Sequence, residues 1–190
     1  MVNLTRIYTR TGDRGTTRLV NNQSIPKWDP LLDTYGTVDE ANSAIGVAIT
    51  IANDRKLANV LRIVQNDLFD VGADLATPMD TASPALRVDD SWIERLEGWC
   101  DEFSAGLPPL RSFLLPGGSS LSAQLNVART IVRRGERDAW KVSQTRQINE
   151  TAVRYLNRLS DLLFILGRYA NASTGNDEVL WVPAGSGERA

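Results

Sequence analysis

Residues 55–75 read RKLANVLRIVQNDLFDVGADL, and Leu57, Leu61, Val64, Leu68, Val71 and Leu75 fall four, three, four, three and four residues apart. That stepping keeps one apolar seam on a helix of 3.6 residues per turn, the pattern of a helix packed in a bundle. It recurs at Leu121, Leu125, Ala128, Val132, Gly135, Ala139 and Val142, and at Leu156, Leu159, Leu163, Leu166 and Ala170. Tyr35, Val38, Ala41, Ile45, Ala48 and Ala52 predict a further helix from about Asp33. Ile93, Leu96, Cys100 and Phe103 predict a shorter one capped by Asp90 or Ser91. The expectation is an all-α, five-helix bundle. Its connections carry Thr-Pro-Met-Asp (77–80), Gly-Leu-Pro-Pro (106–109) and Leu-Pro-Gly-Gly-Ser-Ser (115–120), where Ser119 or Ser120 can cap the next helix.

Outside the bundle the pattern changes. Ile7-Tyr8-Thr9 and Thr16-Thr17-Arg18-Leu19 read as short extended pieces around a glycine loop, and the tail from Ser173 holds one extended run, Val179 to Val182. No repeat and no long linker divides the chain. We therefore expect one domain over 1–190, with an N-terminal loop region over 1–30, a bundle over 33–172 and a tail over 173–190.

Composition bounds the chemistry. At 190 residues, with 42% hydrophobic and 23% charged, the chain can bury a core without metals or disulfides. A net charge of −2 disfavours a protein that coats nucleic acid or an anionic membrane, so any anion site must be a local cluster of cations. The lone Cys100 forms no internal disulfide, the first residues lack an apolar leader, and no stretch nears the ~20 apolar residues of a membrane span. A cytoplasmic protein is expected, and the sequons at Asn3, Asn22, Asn149 and Asn171 read as chance. Histidine is absent, which removes Ser-His and Cys-His catalysis and every histidine metal ligand.

Arg129, Arg133 and Arg137 put three guanidiniums on one helical stripe, with Arg134 beside them. Like charges one turn apart cost a helix roughly 0.2–0.5 kcal/mol per pair, a repulsion that a bound phosphate chain would turn into binding. The alternative is a solvated face neutralised by Glu136, Asp138 and carboxylates on neighbouring helices. Thr9-Arg10-Thr11-Gly12-Asp13-Arg14-Gly15-Thr16-Thr17 supplies glycines, hydroxyls and arginines for a backbone phosphate nest, although the same residues also make a plain turn between strands. The stripes Asp67, Asp70, Asp74 and Glu94, Glu97, Asp101 could hold Mg²⁺, as in all-α nucleotide pyrophosphatases, or serve as ion-pairing flanks. Asn157 and Asp161 could be polar glue or adenosine contacts. Phe113 reads as a core plug, and the five tryptophans as packing or interface residues.

Together, IYTRTGDRGTTRL, PKWDPLLDTYGTVDEANSAIG, NDLFDVGADLATP, FLLPGGSSLSAQLNVARTIVRRGERD and YLNRLSDLLFILGRYAN make the chain similar, over about residues 5–171, to the PduO-type corrinoid adenosyltransferases, the ATP:cob(I)alamin adenosyltransferases. The resemblance implies a homotrimer with its active sites between subunits. ATP would be lined by Thr9, Arg10, Thr11, Gly12, Asp13, Gly15, Thr17, Arg18 and Lys27 of one subunit, and by Arg133, Arg134, Gly135, Glu136, Arg137 and Asn157 of the next. It further implies that Asp39 and Arg129 form a salt bridge across the boundary near the corrinoid, and that Phe113 lies below the corrin ring. Arg133, Phe113, Asp39 and Arg129 would then carry the catalysis. The family's usual alanine is replaced by Gly135, a departure that loosens the helix by up to about 1 kcal/mol. Implied co-substrates are ATP with Mg²⁺ and cobalamin, with the protein ligands of Mg²⁺ unknown. Implied partners are an electron donor such as a flavoprotein reductase and an adenosylcobalamin-dependent enzyme that takes the product. The alternatives are a nucleotide sensor or corrinoid carrier without turnover, and a pyrophosphatase working through the carboxylate stripes.

Overall fold

The computed structural model describes Tyr8, residues 10–81 and residues 84–184. Among them are five helices: α1 (Pro30–Thr50), α2 (Arg55–Leu75), α3 (Asp90–Ser104), α4 (Ser120–Ser143) and α5 (Glu150–Ser173). A two-stranded hairpin, β1 (Thr16–Arg18) and β2 (Ser24–Pro26), precedes them. Each helix opens on a side-chain cap, with Asp29, Asp54, Asp89, Ser119 and Asn149 accepting the amide of N2 or N3. Such a cap typically contributes about 1 kcal/mol.

Two helix starts differ from expectation. α1 begins at Pro30 rather than Asp33, because Asp29 caps it, a proline suits the first helical position, and Leu31 and Thr34 already bury against the body. α3 is capped by Asp89, not Asp90 or Ser91. β2 was not foreseen; it pairs antiparallel with β1 in the register Thr17 opposite Ile25. Ile7 and Thr9 of the expected first extended piece lie outside the described residues.

α1 packs against α2 and α4, α4 also packs against α5, and α3 lies on α5. The predicted seams face inward: Leu57, Leu61, Val64, Leu68, Val71, Leu125, Ala128, Val132, Leu156, Leu159, Leu163 and Leu166 are all buried. Each such leucine contributes roughly 1.5–3 kcal/mol over its exposed state. Leu19, Ile25, Leu31 and Val142 make a second, smaller core that seats the hairpin on the ends of α1 and α4, and Arg146 ties to the buried Asp29 there at 2.6 Å. At the opposite end the tail is drawn back across the loop before α4 by a bridge between Leu114 and Leu180. No helix among the described residues is long and apolar enough to cross a membrane.

Three members of the carboxylate stripes, Asp67, Asp74 and Glu97, are engaged in structural contacts. Asp74 accepts from the Val88 amide, Arg87 and Asn149 at 2.8, 2.5 and 2.6 Å, tying the loop after α2 to the start of α5. Asp67 takes Arg95 and the Tyr155 hydroxyl, whose pKa burial and then the Asp67 charge push well up. Glu97 pairs with Arg158. No group of three or more acidic or cysteine side chains that could hold a metal exists among the described residues.

Candidate active site

The hairpin presents the glycine loop as a concavity of ≈ 760 Å³ lined by Arg10 to Arg14, Thr16 to Arg18 and Ser24. Arg10 (φ 61°) and Gly15 (φ 78°) adopt left-handed backbone, and the amides of Asp13 and Gly15 bond back to the carbonyls of Arg10 and Gly12. Lys27 lies across the loop. A Cβ on Gly12 would come within 3.0 Å of its Cε and Nζ, so glycine is what lets the ammonium settle there. Trp28, one of the tryptophans expected as packing or interface residues, rests its ring against Gly15 and is 75% exposed. Thr9 lies outside the described residues.

The arginine stripe of α4 is not neutralised by its neighbours. Arg134 pairs with Glu40, but Glu136 accepts from Asn157 at 3.1 Å and Asp138 engages Lys141 at 2.8 Å. Arg129, Arg133 and Arg137 have no carboxylate within ion-pair distance among the described residues. Arg137 donates to the Arg133 carbonyl at 3.0 Å, and Arg129 donates to Asn126 at 3.3 Å with its guanidinium 6.0 Å from the Phe164 ring. Burial, then the charge of Arg133, lowers the Arg129 pKa, a direction that an incoming anion would reverse.

Arg129 also lines a cavity between α4, α5 and the tail, with Asn126, Phe164, Leu114, Gly117 and Asp177. Phe113 stands beside it at 78% exposure and plugs no core. The loop that carries it is fixed by Asn171, which takes the Ser119 amide at 2.8 Å and donates to the Gly117 carbonyl at 3.1 Å. Gly118, at φ +90°, passes so close that a Cβ would sit 2.4 Å from Asn171 Oδ1; no other residue fits. Neither Asn171 nor Arg168 was picked from sequence, although both lie in the last turns of the α5 seam, where a polar residue needs a reason.

Asp39 is elsewhere. It is exposed in a groove between α1 and α2 with Tyr35, Gly36, Phe69 and Gly72, and Phe69 is 71% exposed. The cavity holding Arg129 contains no residue of α1 or α2, and the glycine-loop concavity contains none of α4. One chain therefore gathers two sets of cations, an aromatic loop and a lone aspartate without joining them into one site.

The profile of the cobalamin adenosyltransferase family matches residues 7–170. The corrinoid adenosyltransferase of Mycobacterium tuberculosis (strain ATCC 25618 / H37Rv) is 54% identical over 189 residues, covering 97% of this chain and 96% of that protein. The human corrinoid adenosyltransferase is 37% identical over 183 residues, covering 93% and 73%. Among solved structures, a phenylalanine-to-alanine variant of the PduO-type ATP:corrinoid adenosyltransferase from Lactobacillus reuteri, complexed with cobalamin and ATP, superposes with a TM-score of 0.90 at 38% identity, covering 94% of this chain and 100% of that one. On the profile match and these likenesses, the chain belongs to the cobalamin adenosyltransferase family.

Proposed function

We propose that this protein transfers the 5′-deoxyadenosyl group of ATP to the cobalt of cob(I)alamin, forming adenosylcobalamin and releasing triphosphate. The observation that carries the reading is the row Arg129, Arg133 and Arg137 on α4, which has no carboxylate partner among the described residues although Arg134 beside it pairs with Glu40. Co(I) attacks C5′ of ATP, the cobalt–carbon bond forms, and the C5′–oxygen bond breaks with its electron pair leaving on the triphosphate. That step needs cationic donors on the leaving group and no general base, which suits a histidine-free site. Arg10, Arg18 and Lys27 with the loop amides hold the triphosphate from one subunit; Arg133, Arg137 and Asn157 close on it from the next. Mg²⁺ accompanies the triphosphate as part of the substrate.

Asp39 of one subunit pairs with Arg129 of its neighbour beside the corrinoid, consistent with their places in separate grooves of one chain. Phe113 lies under the ring, where a non-ligating aromatic displaces the corrinoid's own axial base and makes Co(II) easier to reduce. A homotrimer supplies three such sites. A flavoprotein reductase supplies the electron, an adenosylcobalamin-dependent enzyme takes the product, and the reaction belongs in the cytoplasm.

Anaerobic incubation with ATP and chemically reduced cobalamin tests the activity: the optical spectrum must become that of adenosylcobalamin in proportion to triphosphate released. ATP binding without that change would instead indicate a sensor or carrier.

A further inference from the structure

Phe113 has a companion. The tail from Glu178 to Trp181 runs antiparallel to residues 113–115, with the Leu115 amide donating to the Val179 carbonyl at 2.8 Å and the Trp181 amide to the Phe113 carbonyl at 2.7 Å. The Ser112 hydroxyl donates to the Trp181 carbonyl at 3.2 Å. The two rings meet edge to face, centroids 6.1 Å apart and planes at 72°, the arrangement that aligns a positive ring edge with a π face.

The strap is fastened from beneath. Arg168, only 9% exposed, donates through Nε and Nη2 to the two carboxylate oxygens of Glu178 at 2.5 and 3.2 Å, and through Nη2 to the Pro108 carbonyl at 2.7 Å. One guanidinium thus clamps both the tail and the entry to the Phe113 loop, a forked geometry that lysine could not reproduce. Phe113 is therefore held at its carbonyl and by one ring contact, while most of the residue stays open to solvent.

We propose that Trp181 is a positioning residue for Phe113, holding its ring in the pose that keeps the corrinoid's axial base off cobalt; this rests on the adenosyltransferase reading above. Trp181 does not replace the base itself. It narrows the poses of the residue that does, so its loss should matter where axial ligation matters and nowhere else.

The test compares wild type, Trp181→Ala and Trp181→Phe with Co(II)-cobalamin and ATP by electron paramagnetic resonance, together with adenosylation started from Co(II) plus reductant or from preformed Co(I). Trp181→Ala is expected to raise the fraction showing axial nitrogen splitting. It should slow the reaction from Co(II) about tenfold while changing the rate from Co(I) and the KM for ATP less than about twofold. Trp181→Phe should restore both the spectrum and the rate. An unchanged spectrum in Trp181→Ala, equal losses from both starting states, or no rescue by Trp181→Phe would overturn the proposal. Should Trp181→Ala not fold, Trp181→Leu keeps the apolar bulk without the ring and is judged by the same criteria. A wild type that makes no adenosylcobalamin from Co(I) sinks the functional reading itself, whereas an active wild type indistinguishable from Trp181→Ala sinks only this one.

Discussion

Arg133 is exposed on α4 and carries a charge that no carboxylate among the described residues offsets. Removing it relieves repulsion with Arg129 and takes away no folding contact, so a change to alanine separates function from stability. Arg133→Ala should lower kcat/KM by about 10² or more, with the oligomer and the unfolding midpoint unchanged; steady-state kinetics beside gel filtration checks it, and near-normal turnover would refute the triphosphate role. Cys100 is the opposite kind of residue. Burial, then the charge of Asp161, pushes its thiol up to about 11, so almost no thiolate exists at neutral pH. Iodoacetamide at pH 7.5 should leave adenosylation intact, and alkylation should accelerate only as pH climbs toward 11. The sign for stability follows: the unfolded thiol, near its ordinary value of 9.0, loses its proton first, so the contribution of Cys100 is full below pH 9 and is lost as pH rises.

The helices show what was readable from spacing and what was not. The leucine seams of α2, α4 and α5 dictated their burial because a 3.6-residue period leaves one face dry whatever surrounds it. The strand Ser24–Pro26 was not readable: three residues ending in proline carry no alternation, and only pairing with Thr16–Arg18 defines them. Phe113 was read as core because apolar neighbours suggest burial, yet Asn171 and Gly118 fix a loop that turns the ring outward. The candidate site offered its residue types to the sequence but not its assembly, since Asp39 and Arg129 lie 90 positions apart in separate grooves and only the resemblance pairs them. Gly135 tests packing at this scale. A Cβ there would meet Thr37 Cγ2 at 3.4 Å and Val38 Cγ2 at 3.8 Å, ordinary van der Waals contact against α1. Gly135→Ala should therefore stabilise by about 0.5–1 kcal/mol without loss of turnover, measured by urea unfolding at one fixed protein concentration. Destabilisation would mean that α1 and α4 sit closer than 3.4 Å allows.

At the scale of the whole molecule, the separation of the grooves decides how the site can be complete. Arg129 faces the cavity beside Phe164 and the tail, Asp39 faces the groove beside Phe69, and neither of these two concavities holds both among the described residues. If they meet between subunits, the proposed cyclic trimer would join each Asp39 groove to the Arg129 cavity of the next copy. Asp39→Ala and Arg129→Ala, each pure, should weaken corrinoid binding more than ATP binding and leave little adenosylation. Mixed trimers behave differently: wherever a subunit carrying Arg129→Ala offers its intact Asp39 to a subunit carrying Asp39→Ala, whose Arg129 is intact, one unaltered site is restored. Random assembly from equal amounts makes about a quarter of all sites native, so co-refolding the two inactive variants should recover about a quarter of wild-type activity, whereas merely mixing the folded trimers should recover none before subunits exchange. A pairing within one chain predicts no recovery under either condition. Recovery near a quarter on co-refolding would place Asp39 and Arg129 on opposite sides of a shared boundary; its absence, with both variants folded and trimeric, would place the corrinoid site within one subunit.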